Sequence, residues 1–242
     1  MEYIEGPSST GVGRAERIAF GAGAALLVSG FAHLVILLLS GMSWYGPVSW
    51  RKPATFGMSF GLTLMTVTWI ASYIDLPRRS RAALIAALTI ASVWETALVT
   101  VQAWRHAPSH FNFETAFDAA VARALAAGGF VLVVTIVLLT IAAFRRRPRA
   151  SRSLVLAIRG GFLSLLAAQI VGAVMIAIGV RHLFNGDAQG AYATSSTLKW
   201  AHGVLMHGIL ILPALAWAAD RTRSARTPGT PGTLGTPGTL GT

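Results

Sequence analysis

The chain has 242 residues, is 54% hydrophobic and only 12% charged, with a formal net charge of +11 and a mean hydropathy of +0.60. That balance excludes an ordinary water-soluble domain, which carries far more charge for so much apolar residue. The absence of cysteine excludes disulfides, thiolate metal sites, iron–sulfur clusters and covalent c-type haem attachment.

In chain order, residues 1–17 read as a short polar tail. A bilayer core about 30 Å thick needs about 20 helical residues to cross it. Six runs meet that length, at roughly 18–40, 54–74, 82–103, 125–144, 158–180 and 198–218. The first, "IAFGAGAALLVSGFAHLVILLLS", is too long for the apolar part of a signal peptide and no A-x-A-type site follows it. It is expected to stay as an uncleaved helix. The fold class is therefore all-α integral membrane, a six-helix bundle over 18–218. Residues 219–242 follow as a cytoplasmic tail; its "TPGTPGTLGTPGTLGT" can form neither helix nor core, and predicts disorder.

Basic residues set the expected orientation. With the N-terminus in the cytoplasm, inside segments hold 14 Arg and Lys and outside segments hold 6. Both termini are then cytoplasmic, in a plasma (inner) membrane. Runs such as "RRRPRASR" lie against anionic lipid head groups; the bilayer is the expected partner and nucleic acid is not. Oligomeric state is left open.

The three outside connections carry unusual residues. The first, "GMSWYGPVSWRKP", places Arg51 and Lys52 just before Pro53, a natural first helical residue. Two cations then sit at the positive end of a helix dipole, where anions are favoured. They either snorkel or face an anionic group. The second, "QAWRHAPSHFNFETAFD", is dense in hydrogen-bonding groups. Gln102, Arg105, Ser109, His110 and Asn112 are expected to fold over the outer mouth, with Asn112 or Ser109 capping the next helix. Lys199 and His202 are expected to complete the rim from the last span.

Ionisable groups inside spans are costly and mark a site or an interior contact. His33, Glu95 and His207 all lie about 12–14 Å below the expected outer surface. Their equal depth predicts one pocket. Span 2 has Gly57 and Gly61 four apart, and span 5 has Gly160, Ser164, Ala168 and Gly172 at intervals of four, which allow close helix contact. Span 4 has no strongly polar residue and is expected to be the most lipid-facing.

Lys52-Pro53, then Gln102 and Arg105, then Ser109-His110-Phe111-Asn112 together resemble a pattern in a group of small bacterial multi-pass membrane proteins. The resemblance covers roughly residues 44–118 and implies no activity.

Four readings of the pocket follow. In one, His33 and His207 are axial ligands of haem b, with Arg51, Lys52, Arg105, Arg181 and Lys199 meeting the propionates. In another, His33, Glu95 and His207 hold non-haem iron or another divalent metal. In a third, Glu95, a histidine and Gln102 bind and move a proton or small solute, as in a transporter or sensor. In the last, Glu95 hydrogen-bonded to His33 is a strut between helices. No phosphate loop, nucleophile elbow or H-E-x-x-H is present, so enzymatic activity stays open.

Overall fold

A computed structural model describes residues 13–46, 48–146, 148–193 and 198–226. The described residues are helical, with no strand. The helices are α1 (Arg14–Ser40), α2 (Arg51–Ala71), α3 (Arg78–Trp104), α4 (Ala116–Arg145), α5 (Arg152–Phe184), the short α6 (Ala188–Ala193) and α7 (Leu198–Arg226). All but α6 are long and apolar enough to cross a membrane. Helix is what such sequences must form in lipid, since no water is present to satisfy a free backbone group. The expected tails at 1–17 and 219–242 are shortened, because α1 already begins at Arg14 and α7 continues to Arg226. Residues 1–12 and 227–242 of those tails lie outside the described residues.

Side-chain contacts sort the chain connections into two ends. At one end the Arg81 guanidinium, at the start of α3, donates to Glu16 Oε1 near the start of α1 at 3.0 Å. Arg149 donates through its backbone to the Tyr73 carbonyl at 2.8 Å and through its side chain to Asp75 at 3.2 Å. Ser151 and Ser153, opening α5, donate to the Asp220 carboxylate in the last turns of α7. The other end carries the α1–α2, α3–α4 and α5–α7 connections, and is called the capped end below.

Small residues decide the helix pairing, as expected where lipid removes the hydrophobic drive between helices. A Cβ on Gly57 would stand 2.7 Å from Gly30 Cα, and one on Gly61 would stand 2.7 Å from the Gly23 carbonyl oxygen. The α1 and α2 backbones therefore touch. The span-5 series meets α7 in the same way: Ser164 Oγ donates to the Leu205 carbonyl at 2.7 Å, and Gly172 lies against the His202 ring. The apolar core lies toward the uncapped end, where Leu64, Ile70, Ile85, Leu139, Ile158 and Phe162 are wholly buried.

The expectation that the fourth span is the most lipid-facing is corrected. Buried positions make up 39% of the most apolar stretch of α4, but 17% for α5 and 11% for α7. Gly128, Thr135 and Thr140 turn inward on α4, whereas α5 and α7 are covered mainly by each other.

Candidate functional site

The residues between α3 and α4 fold into a cap. Asp118, in the first turn of α4, is 3% exposed. Its Oδ1 accepts from Gln102 Nε2 at 2.8 Å and from Arg105 Nη1 at 2.6 Å. Its Oδ2 accepts from Thr115 Oγ1 at 2.6 Å, and its backbone N–H donates back to Thr115 Oγ1 at 3.1 Å. Thr115 is thus the N-cap of α4. This corrects the expected cap: Asn112 serves one turn earlier, its Oδ1 accepting from the Glu114 N–H at 3.1 Å. Gln102 is fully satisfied, since its second N–H reaches the Pro108 carbonyl at 3.3 Å and its oxygen accepts from Arg105. A buried amide with all its bonds made fixes one geometry.

Folding the chain back this tightly demands unusual backbone. His106 and Phe111 both have positive φ, 54° and 61°, uncommon away from glycine. Phe111 is held because its ring fills the space beside Gly179 of α5, where a Cβ would stand 2.6 Å from it.

Beneath the cap lies an aromatic cluster around His33 of α1. Its Nδ1 donates to the Ser29 carbonyl at 2.7 Å, and its Nε2 accepts from the Trp104 indole N–H at 3.2 Å. The neutral ring satisfies both bonds. Trp50 stacks on it with centroids 5.9 Å apart, and Trp104 meets Trp50 edge-on at 4.8 Å.

Beside this cluster is a narrow crevice lined by Val48, Ser49, Lys52, Val99, Ala103, Ala107 and Ser109. Lys52 enters it from the first turn of α2. Arg51 and Lys199 lie close enough to repel Lys52. Arg51 Nε donates to the Trp44 carbonyl at 3.0 Å. Among the described residues, none of these three cations has a carboxylate within ion-pair distance. His110 contacts Oγ of its neighbour Ser109, a crevice residue, at 2.9 Å. Burial pushes its pKa down to about 4, and the Lys52 charge adds to the effect.

The expected convergence of His33, Glu95 and His207 is not found. His33 has both ring nitrogens engaged, as above. His207 is exposed on α7, its Nδ1 bonded to the Gly203 carbonyl one turn back on its own helix at 2.5 Å. Glu95 turns away from both, toward α4, where it lies against Gly128. Among the described residues, no three His, Asp or Glu side chains are grouped to hold a metal. Equal depth failed as a guide because azimuth decides contact: α7 packs on α5 and, less closely, on α2, and shares no packed seam with α1. The Glu95–His33 strut is absent for the same reason. His202 is not on the rim; its Nδ1 donates to the Ala168 carbonyl of α5 at 2.8 Å. Neither haem b nor a divalent metal fits the side chains as they stand.

Comparison with known protein families, curated proteins and solved structures finds no match to this chain. Sequence reasoning missed Asp118, the hub of the cap. Its signal was legible, since Thr115-x-x-Asp118 has the spacing of a reciprocal helix cap.

Proposed function

We propose that this is a multi-pass protein of the plasma membrane, both termini cytoplasmic, whose outward-facing capped end recognises a small anionic solute for transport or sensing. One observation carries the reading: Lys52 lines the crevice and has Arg51 and Lys199 close by, with no carboxylate partner for any of the three among the described residues. Like charges held together in partly desolvated surroundings repel, and a bound anion relieves that repulsion. The first turn of α2 adds the positive end of its dipole, although its backbone N–H groups already have acceptors: Arg51 donates to Ser49 Oγ at 3.2 Å and Lys52 to the Ser49 carbonyl at 3.0 Å. Ser49 and Ser109, 2% exposed each, line the same crevice, and the Ser49 hydroxyl donates to the Ser43 carbonyl at 3.0 Å in the closed arrangement. The crevice is closed too tightly to hold a solute, so binding requires its Val48–Ser49 wall to shift. The cap network holds the opposite wall still while it does.

The test is thermal unfolding of the full chain in lipid nanodiscs, titrated with phosphate, acetate or succinate at constant ionic strength. A ligand that binds only the folded state raises stability by about 2.7 kcal/mol at a hundred times its dissociation constant. A saturable rise with at least one of these anions, lost in Lys52→Gln, is the expected result. If none of them shifts the transition, or if Lys52→Gln responds as the parent does, the reading is wrong.

A further inference from the structure

Glu95 is not used by the anion site, and its surroundings are unlike those of any other acid among the described residues. It lies in the middle of α3 and is 4% exposed. Its Oε1 is fully enclosed and has no hydrogen-bond partner. The carboxyl is seated on α4 at Gly128, where any side chain would collide with it. Trp94 flanks the same place and ties α3 to α4 through its indole N–H, which donates to the Ala124 carbonyl at 3.3 Å. Above it, Val99 packs with Val121 and Leu125, all nearly fully buried. Val99 also lines the crevice, so the carboxyl lies about one helical turn, or roughly 6 Å, below the crevice floor.

We propose that Glu95 is a proton-binding site set in the α3–α4 seam, occupied as the neutral acid and sealed from the basic crevice by Val99, Val121 and Leu125. An ionised carboxylate in an apolar interior needs a counter-charge or several donors. The helices packed against α3 supply no counter-charge and one donor, the Gly129 backbone N–H of α4. On α4, Asp118 is bound to Gln102, Arg105 and Thr115. On α1, His33 has both nitrogens committed. On α2, Lys52 faces the crevice. No cation among the described residues lies within ion-pair distance of Glu95. The neutral acid needs no counter-charge and fits the space that Gly128 leaves. Loss of the proton to water at the crevice would leave a bare charge in the seam, and water would have to enter between α3 and α4. The site therefore links proton occupancy to the packing of two helices. It does not depend on the anion reading.

Infrared difference spectroscopy of the full chain in nanodiscs tests it. At neutral pH the protein should show the C=O stretch of a protonated carboxyl, absent from Glu95→Gln and retained in Glu114→Gln. A second measurement needs no variant. Dicyclohexylcarbodiimide reacts with a protonated carboxyl in an apolar place: the carboxyl oxygen adds to the carbodiimide carbon, the proton passes to its nitrogen, and the adduct rearranges to an N-acylurea. Peptide mass spectrometry should find this adduct on Glu95, with labelling falling about tenfold per pH unit above its midpoint. Infrared spectra of the parent and Glu95→Gln that coincide in the carboxyl region overturn the proposal. Should that variant not fold, the absence of adduct on Glu95 overturns it.

Discussion

At the scale of single residues, the capped end rests on buried and half-buried polar side chains, with His110 and the Asp118 carboxylate among them. His110 makes the pH consequence explicit. Its folded-state pKa of about 4 lies below the ordinary histidine value of about 6.5. The unfolded chain therefore takes up the proton first as pH falls. The stability that His110 contributes is complete above about pH 6.5 and is lost as pH drops toward 4, with the sign set by excess proton binding in the unfolded state. The expected loss over that window is on the order of 3 kcal/mol. Melting temperatures from pH 7 to pH 4 should show a steeper decline in the parent than in His110→Gln. Parallel curves would mean that the ring is solvated. Asp118 belongs to the same scale: four hydrogen bonds converge on it, so its neighbours fold around a charge that stays charged.

At the scale of elements, the pairs α1–α2 and α5–α7 are set by small residues, but not by equally tight contacts. Gly57 touches Gly30 backbone to backbone, so a methyl group there must push two helices apart. Overpacking of this kind costs about 1–3 kcal/mol. Gly57→Ala should lower the melting temperature by several degrees. Gly21→Ala in α1, which meets nothing within 4 Å, should leave it unchanged or slightly raised. Comparing these two in the same nanodiscs separates the contact from the helix propensity of alanine. If both variants melt alike, α1 and α2 are not packed at Gly57.

At the scale of the whole molecule, six long antiparallel helices put the Glu16–Arg81, Asp75–Arg149 and Ser151–Asp220 contacts at one end and the cap at the other. In the proposed orientation, which rests on charge bias, the first of these ends would face the cytoplasm. Reporter fusions at Ala150 and Asn185 should therefore report opposite sides of the membrane, with Ala150 inside. The same side for both would break the six-span arrangement. Opposite sides with Ala150 outside would keep the fold and remove the case for an outward-facing cap.

Composition and run length alone determined the helical class and the six helices long and apolar enough to cross a membrane, with their approximate bounds, because a bilayer would impose length and apolarity on every crossing segment. The glycine and small-residue intervals in α2 and α5 were likewise legible as contact faces, since a helix carries residues four apart on one side. So was the density of polar groups at 102–118, which the structure gathers into the cap. Where each helix stands around the bundle was decided only by tertiary packing. Depth along a helix follows from counting residues, whereas azimuth depends on which neighbour fills each groove. That is why His33, Glu95 and His207, level in the sequence, face Trp104, Gly128 and open surface respectively. It is also why Asp118, unremarked in an amphipathic stretch, became the residue on which the cap closes.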